Sequence, residues 1–330
     1  MIILKILFGV ICSVVSLAVL FCIIVILAGY IAELYIPKNL RNLKKNKGTL
    51  FAEGHSMIAA HRAGAGIAPE NTPMAFDLCL NSTEFTVQEL EFDLHMTKDE
   101  KLIVLHDGTL DRTTDAVEMF GRTEVKPSEL TYDEIRKLNT GESFVTDSGD
   151  MPYKGLRGDD IPDGLRIPLL EEIIDMMEAK GEYLYSIDIK DSGEIGRKCA
   201  DKLIKMINDK GIADRVIVAT FNGDITKYLT EKYPNTQRSV GVTEGLKYYF
   251  MYLLNIRPKK PLPFKAIQVP SNQFKVVRPG TKRAIAYFHS LGVACQFWTI
   301  DDIDEIKRLS DAGADCIVTN VPDKMYNLFN

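Results

Sequence analysis

The stretch VQELEFDLHMTKDEKLIVLH (Val87–His106) sets the pattern from which the fold is predicted. Its first part, Val87–Asp93, alternates polar and apolar residues with the period of a β-strand. A polar tetrapeptide then leads into a second β-rich run, Leu102–His106, which follows too closely for a helix to intervene. This spacing predicts a hairpin, and a symmetric turn places Asp93 opposite His106.

Further β-rich runs lie on both sides of this hairpin, and amphipathic helical patterns such as Glu194–Asp209 and Asp301–Ala312 separate most of them. The runs are Met57–His61, Tyr183–Ile189, Arg215–Thr220, Gln237–Gly241, Ala266–Val269, Val293–Trp298 and Asp315–Thr319. Together with Val87–Asp93 they make eight strands with helical crossovers, which indicates parallel pairing. We predict an α/β fold, a TIM-type (β/α)₈ barrel, with a doubly wound open sheet as the alternative.

The N-terminus carries a long run without charge. Residues Ile6–Ala32 are rich in Leu, Ile and Val, and the run exceeds the roughly 20 residues that a helix needs to cross a bilayer. It is also longer than the apolar part of a cleaved signal peptide. We therefore expect residues 1–32 to form one transmembrane helix that anchors the chain, and the bilayer to be a partner.

Basic residues follow this run, and they suggest an orientation for it. They are Lys38, Arg41, Lys44, Lys45 and Lys47, whereas only Lys5 and the amino terminus precede the run. The positive-inside rule then places the rest of the chain in the cytoplasm. We expect residues 33–55 to be a basic linker beside the membrane and residues 56–330 to be the barrel domain.

Composition narrows the possible functions. The formal net charge of −5 gives no general electrostatic reason to bind nucleic acid, so an anionic substrate must be held locally. The six cysteines show neither a CxxC motif nor a Cys/His metal-binding spacing, and buried free thiols are expected.

Two segments depart from the alternation of strands and helices. Residues 140–167 are rich in Gly, Asp and Pro and predict a long loop, which in compact domains is often a functional lid. Residues 246–264 join an apolar, aromatic run to basic residues. A barrel helix with its exit loop is the favoured interpretation of that segment, and a lipid-contacting surface is the alternative.

Acidic side chains share one face of the strand in the opening stretch. Glu91 and Asp93 come at its C-terminal end, where TIM barrels build their active sites. Glu89 lies deeper on that face and marks either a bulge or a buried pair. A later strand adds Asp188, and three carboxylates around one point make a hard oxygen site suited to Ca²⁺ or Mg²⁺.

Histidines and basic residues end other predicted strands. His61 is followed by Arg62, whose planar guanidinium fits phosphate oxygens, and His106 ends the hairpin. Two histidines near one carboxylate group can divide the roles of general base and general acid. Lys190, two residues after Asp188, suits an anionic substrate, although a simple salt bridge is a competing interpretation.

Several ordered motifs resemble the glycerophosphodiester phosphodiesterase family. They are AHRAGAGIAPENTPMAF (Ala60–Phe76), ELEFDLHMTKDEKLIVLHDGTLDRTT (Glu89–Thr114), RIPLLEEII (Arg166–Ile174), SIDIK (Ser186–Lys190), QFWTID (Gln296–Asp301) and GADCIVTNVPD (Gly313–Asp323). The resemblance covers about residues 57–323 and implies a metal-dependent hydrolase on a TIM-type barrel. Its products would be glycerol 3-phosphate and an alcohol.

The resemblance also implies roles for individual residues. It makes His61 and His106 the acid–base pair, although His106 could instead ligate the metal. The remaining implied roles are metal binding by Glu91, Asp93 and Asp188, substrate binding by Arg62, Lys190 and Trp298, and support of the first loop by Glu70 and Asn71.

The sequence departs from the usual family pattern at four positions. Ala63 stands in place of a glycine, so the turn is expected to shift by a residue into Gly64. Asp188 replaces a glutamate and is one methylene shorter. Asp301 and Asn320 stand where an asparagine and an aspartate are more usual. None of these changes removes an essential group.

Three functions remain open at this point. A soluble glycerophosphodiester is the substrate that the resemblance implies. A lysophospholipase D that acts on lysophospholipids at the membrane is the first alternative. An inactive, membrane-tethered binding or scaffold barrel is the second, and it predicts a damaged set of metal ligands and histidines.

Overall fold

The computed structural model describes residues 2–41, 46–272 and 277–330. Lys44 and Lys45 of the predicted linker lie outside these described residues. The strands are β1 (Met57–Ala60), β2 (Glu89–Met96), β3 (Leu102–Val104), β4 (Leu184–Ile189), β5 (Val216–Ala219), β6 (Ala266–Val269), β7 (Ala294–Phe297) and β8 (Cys316–Thr319). Seven of them form a parallel sheet in the order β5-β4-β2-β1-β8-β7-β6, and β3 pairs antiparallel with β2.

The gap between β5 and β6 is closed by a short segment instead of a full strand. Arg238 bridges Val218 of β5, and the next residue, Ser239, bridges Ala266 of β6. The predicted strand Gln237–Gly241 is thus reduced to two bridges, yet every position around the ring is filled. The TIM-type (β/α)₈ barrel is confirmed, and the open-sheet alternative is wrong.

Helices surround the barrel, and each of eight strand positions is followed by one of them. The helices are α1 (Ile2–Leu34), α2 (Lys38–Arg41), α3 (Pro73–Asn81), α4 (Ala116–Phe120), α5 (Tyr132–Ile135), α6 (Leu170–Glu178), α7 (Gly193–Asp209), α8 (Gly223–Lys232), α9 (Val242–Leu253), α10 (Lys282–His289), α11 (Ile303–Ala312) and α12 (Pro322–Phe329). The local sequence explains several starts. Thr72 caps α3 by accepting a hydrogen bond from the Ala75 amide, directly before Pro73.

The segment between β3 and α6 forms a small lobe of its own. Its apolar side chains, among them Leu110, Val125 and Ile135, make a separate buried cluster. The predicted loop 140–167 belongs to this lobe and contains only two short 3₁₀ turns, Gly158–Asp160 and Asp163–Leu165.

The predicted hairpin is present, but its register differs by one residue. Leu94 pairs with Val104 and His95 with Ile103, so Asp93 lies opposite Leu105 and not opposite His106. The difference arises in the turn, because Glu100 adopts a left-handed backbone conformation with φ of 58°. A left-handed residue in a three-residue turn shifts the pairing from that of a symmetric turn.

The expected membrane anchor is wrong. Within residues 2–41, 46–272 and 277–330, no helix combines the length and the apolar character that crossing a bilayer requires. Two apolar side chains of α1 contact other parts of the chain, since Val25 is buried and Phe21 packs its ring against Phe250 of α9, whereas others, such as Leu17 and Ile31, are exposed. The predicted membrane localisation, which depended on this anchor, is therefore wrong. The orientation of the chain and the bilayer as a partner depended on the same anchor and lose their basis.

Candidate active site

A cavity of about 590 Å³ opens at the C-terminal ends of the barrel strands. Eight of the residues singled out in the sequence line it, namely His61, Arg62, Glu91, Asp93, His106, Asp188, Lys190 and Trp298. They come from strands β2 and β4 and from the residues that directly follow β1, β3, β4 and β7, which are far apart in the chain. The parallel barrel brings them together because all these segments end at the same rim.

The three carboxylates are placed by strand pairing. Asp93 of β2 lies directly beside Asp188 of β4 in the parallel register. Glu91 precedes Asp93 by two residues and lies on the same face of β2. The Lys190 ammonium lies between the two aspartates, with Nζ 2.9 Å from Asp93 Oδ1 and 2.6 Å from Asp188 Oδ2. The single positive charge of Lys190 is therefore surrounded by three buried or half-buried carboxylates.

The charges of this group shift the acidities of its members. Burial, reinforced by the Asp93 charge, raises the pKa of Glu91 well above its usual value. Burial also raises the pKa of Asp188. Although burial opposes ionisation of Asp93 as well, the Lys190 ammonium holds the pKa of Asp93 below its ordinary value. Asp93 and Asp188 together raise the pKa of Lys190 against the effect of its burial.

The carboxylate group has the donors that a hard divalent cation needs. Asp188 Oδ1 is buried and has no hydrogen-bond partner among the described residues. A buried carboxylate oxygen without a partner is costly unless a cation compensates it. Oxygen donors from three carboxylates match the ligand preference of Ca²⁺ and Mg²⁺.

Glu89 lies below this group, inside the barrel. Its side chain is fully buried, and Oε2 accepts a hydrogen bond of 3.0 Å from Gln296 Nε2. Burial raises the pKa of Glu89 to about 7. Of the two interpretations of this residue, the buried pair is the correct one, and Glu89 does not line the cavity.

The loop after β1 has an unusual backbone. Arg62, Ala63 and Gly64 have φ values of 49°, 60° and 96°, so the left-handed conformation is not confined to the glycine. Gly64 adopts the left-handed conformation as expected, but Arg62 and Ala63 adopt it too, so the turn is not shifted out of Ala63. This turn directs the Arg62 amide at Glu91, to which it donates a hydrogen bond of 2.9 Å.

His61 is held from both sides of its ring. Its Nδ1 lies 2.6 Å from Asn320 Oδ1, and its Nε2 lies 4.0 Å from Glu91 Oε2 and 3.5 Å from Thr299 Oγ1. Burial lowers the pKa of His61 below the ordinary histidine value. The ring is therefore held neutral more readily than a histidine in water, with Nε2 turned toward the carboxylates.

His106 is held by a carboxylate. Its Nδ1 lies 2.6 Å from Oδ1 of the adjacent Asp107, which leaves Nε2 for other contacts. Arg112 binds Asp107 through Nε at 2.6 Å and binds Glu70 through both terminal nitrogens at 3.0 and 2.6 Å. Glu70 also accepts a hydrogen bond of 2.9 Å from Arg62. Arg112 thus ties the loop of His106 to the loop of His61.

The two supporting residues of the sequence analysis lie beside the cavity and do not line it. Glu70 holds Arg62 as described. Asn71 donates a hydrogen bond of 2.9 Å from Nδ2 to Asp93 Oδ2, and its backbone amide donates to the Arg62 carbonyl.

Sequence reasoning missed several residues of this site. Asp107 and Arg112 stand in the quoted motifs, but no role was drawn from them. Phe221, the residue after Thr220 at the end of the β5 run, is 57% exposed and packs edge-on against Trp298 with ring centroids 5.6 Å apart. An exposed aromatic residue directly after a strand was the available signal for it.

The cavity has a second, apolar part. It extends past the end of β6 to the space between that strand, α9 and α10. Its lining there comes from Val240, Gly245, Leu246, Tyr249, Ile267, Val277, Pro279 and Phe288. Residues 140–167 do not line the cavity at all, so the lid suggested for that loop is not seen.

A second histidine–carboxylate group lies at the opposite end of the barrel. His289, Cys295 and Asp315 bring potential metal-binding atoms within 4.8 Å of one another. Their polar groups are already paired, since Asp315 Oδ2 accepts from His289 Nε2 and from the Cys295 amide, both at 2.7 Å.

Known proteins provide an independent comparison. A profile of the glycerophosphoryl diester phosphodiesterase family matches residues 61–324. A glycerophosphodiester phosphodiesterase of Caldanaerobacter subterraneus subsp. tengcongensis is 29% identical over 83% of this chain and 97% of that relative. Lysophospholipase D GDPD1 of Mus musculus is 26% identical over 94% of this chain and 97% of that relative.

Solved structures show the same fold. The phosphodiesterase domain of a Mycobacterium tuberculosis protein superposes with a TM-score of 0.65 at 19% identity, over 84% of this chain and all of that one. An Oleispira antarctica phosphodiesterase, solved with its product sn-glycerol-3-phosphate, superposes with a TM-score of 0.61 at 17% identity, over 83% of this chain and 96% of that one.

Proposed function

Because the chain belongs to the glycerophosphoryl diester phosphodiesterase family and is a phosphodiester hydrolase, we propose that it cleaves glycerophosphodiesters into glycerol 3-phosphate and an alcohol. One observation carries the proposal. Two histidines, three carboxylates and two basic side chains line a single cavity. This set also argues against an inactive scaffold, which predicts that some of these groups are damaged.

The family generally uses a divalent metal cation, and the residues present here fit one. Glu91, Asp93 and Asp188 would hold it, and Ca²⁺ and Mg²⁺ both suit these oxygen donors. When bound, the cation neutralises charge on the phosphodiester oxygens. The orphaned Asp188 oxygen supports this assignment.

Arg62 and Lys190 are proposed to bind the phosphate. The buried Arg62 Nε has no hydrogen-bond partner among the described residues, although its NH1 group is held by Glu70. An anionic phosphate oxygen would satisfy that nitrogen. Trp298 and the neighbouring Phe221 would contact the rest of the substrate at the cavity mouth.

The environments of the two histidines suggest how they divide the proton transfers. His61 is buried, and its lowered pKa favours the neutral ring that a general base requires. His106 Nδ1 lies 2.6 Å from Asp107 Oδ1, and this contact fixes the ring and leaves Nε2 for the leaving group. His61 Nε2 would accept the proton of the attacking hydroxyl, and His106 Nε2 would donate to the leaving alcohol.

A product assay tests the proposal. The protein is supplied with Mg²⁺ or Ca²⁺ and glycerophosphocholine, and glycerol 3-phosphate and free choline are measured separately. We expect both products in equal amounts, with loss of activity on chelation and recovery when metal is returned. Release of phosphocholine instead, or full activity after chelation, would contradict the proposal.

Lysophospholipids are a second candidate substrate, and the apolar part of the cavity favours them. A lysophospholipid presents a phosphodiester joined to one acyl chain. The charged wall would face its phosphate, while the space between β6, α9 and α10 would take the chain. Relatives named lysophospholipase D match between 92% and 94% of this chain, which supports the same interpretation.

A glycine variant separates the two substrates. Gly245 of α9 lines the apolar part, and a Cβ at this position would meet only Val240, in ordinary contact at 3.9 Å. Gly245→Phe should lower turnover of long-chain lysophospholipids while leaving glycerophosphocholine turnover unchanged. Gly223→Phe is the matched control, because Gly223 begins α8, does not line the cavity and would place a Cβ with no atom within 4 Å. Equal effects of Gly245→Phe on both substrates would contradict the proposal that the acyl chain binds in this part of the cavity.

A further inference from the structure

Asp301 and Asn320 form a hydrogen-bonded unit behind His61. The side-chain Nδ2 of Asn320 donates to Asp301 Oδ2 at 2.7 Å, and the backbone nitrogen of Asn320 donates to Asp301 Oδ1 at 2.8 Å. The Thr319 hydroxyl donates to the same Oδ1 at 3.0 Å. Neither Asp301 nor Asn320 lines the cavity.

We propose that Asp301 is a positioning residue that selects, through the side-chain amide of Asn320, the proton-bearing nitrogen of His61. The inference rests on the proposed function, in which His61 Nε2 accepts a proton. The carboxylate does not touch the substrate and acts only through the amide between it and the ring.

The selection follows from the donors and acceptors available. An ionised carboxylate only accepts hydrogen bonds, so Asn320 must turn its NH₂ group toward Asp301. The amide oxygen then faces His61 Nδ1, at 2.6 Å. An oxygen partner obliges Nδ1 to carry the proton, and Nε2 is left with a lone pair on the side of the carboxylates. Asp301 thereby selects one of the two orientations that the Asn320 side-chain amide could otherwise adopt.

Exchanging acid and amide tests this logic. In Asp301→Asn, the new amide oxygen must still accept from the Asn320 backbone and Thr319, so its NH₂ group faces Asn320. Asn320 must then turn its oxygen to residue 301 and its NH₂ group to His61. Nδ1 becomes the acceptor, and the proton moves to Nε2, where it blocks the base.

The double exchange Asp301→Asn with Asn320→Asp should restore the original arrangement. The amide at 301 then donates to the carboxylate at 320, and that carboxylate accepts from His61 Nδ1–H. The single change Asn320→Asp places two carboxylates at the present distance of 2.7 Å, where both cannot be ionised without strong repulsion.

Nitrogen-15 spectroscopy of the protein, labelled at its five histidines, reads the tautomer directly at pH 8. The His61 signals are identified as those lost in His61→Ala. We expect a protonated Nδ1 in the wild type and in the double exchange, and a protonated Nε2 in Asp301→Asn. Asp302→Asn, which changes the neighbouring capping carboxylate of α11, is the matched control and should leave the ring unchanged.

Kinetics with the substrate of the product assay provide the second readout. Asp301→Asn should lower kcat by about 10²-fold or more with KM nearly unchanged, because the wrong tautomer removes the base without removing binding contacts. The double exchange should return kcat to within about tenfold of the wild type.

The outcomes separate this inference from the proposed function. A wild type with proton on Nε2 overturns the inference, even if Asp301→Asn fails to fold. An unchanged tautomer in Asp301→Asn, or a loss of kcat that the double exchange does not restore, overturns it as well. A wild-type protein with the expected tautomer but no hydrolytic activity contradicts the proposed function and leaves the positioning role of Asp301 supported.

Discussion

The two ends of the barrel carry the same kinds of side chain in opposite states. At the N-terminal end, Asp315 accepts hydrogen bonds from His289, from the Cys295 amide and, at 3.3 Å, from the Ala52 amide. At the C-terminal end, Asp188 keeps a buried oxygen without a partner among the described residues. The polar groups of the N-terminal end are paired with one another, whereas the C-terminal end keeps the unpaired oxygen that we propose binds a cation.

This difference distinguishes a structural site from a functional one. A buried carboxylate with all its partners stabilises the fold and has nothing left with which to bind a ligand. A group of carboxylates that share one lysine retains unused acceptor capacity, at a cost in stability that is common at active sites. The presence of His, Cys and Asp close together is therefore not sufficient to indicate a metal site.

The largest expected effect comes from removing a histidine at each end. His106→Ala should lower kcat by about 10²–10⁴-fold, because it removes a group proposed to transfer a proton. His289→Ala, the matched variant at the other end, should leave kcat within about twofold of the wild type. Steady-state kinetics on glycerophosphocholine compare them. Comparable activities for the two variants would abolish the contrast between the ends.

A smaller effect, on stability and not on activity, is expected from Asp315→Ala. Removing this carboxylate leaves the buried Cys295 amide without its partner, which should lower the free energy of unfolding by about 1–3 kcal/mol. Urea denaturation measures the change, and kcat of the folded variant should stay at the wild-type value. A loss of activity without a loss of stability would contradict the structural role given to Asp315.

The smallest effect concerns the pH dependence of stability and the ion pair between Arg112 and Asp107. Although burial opposes it, Arg112 holds the pKa of Asp107 down to about 2. A carboxyl whose pKa is depressed in the folded protein stabilises it above the unfolded value near 4, and this stabilisation is lost as pH falls toward 2. Urea denaturation between pH 5 and pH 2.5 should show the decline, and Arg112→Gln should make it shallower. An equal slope in both proteins would exclude the Arg112 contribution.

Much of the barrel could be predicted from the sequence, because short β-rich runs between helical patterns report parallel strands directly. The failures have local physical causes. The hairpin register depended on the left-handed Glu100, which counting along a symmetric turn does not show. The segment at Arg238 and Ser239 has strand-like composition but forms only two bridges. The apolar N-terminal run was predicted to contact lipid along its length, whereas in the structure Val25 joins the protein core and Phe21 packs against Phe250.

The site was predictable where a residue ends a strand and much less so where its partners come from elsewhere. Glu91, Asp93 and Asp188 follow from strand period and the geometry of barrel rims. The bond of Arg112 to both Glu70 and Asp107 depends on how the lobe after β3 folds back, which no periodicity encodes. The apolar part of the cavity depends on how α9 and α10 pack behind β6, and only the structure reveals it.

Metal binding by matched double variants tests the contrast between the two ends most directly. Calorimetric titration of Mg²⁺ and Ca²⁺ into the wild type should show one site. Asp93→Asn with Asp188→Asn should lose that site, and His289→Ala with Asp315→Ala should retain it with unchanged affinity. A divalent ion that still binds when both aspartates of the C-terminal rim are replaced, or that is lost when the N-terminal pair is replaced, would contradict the account.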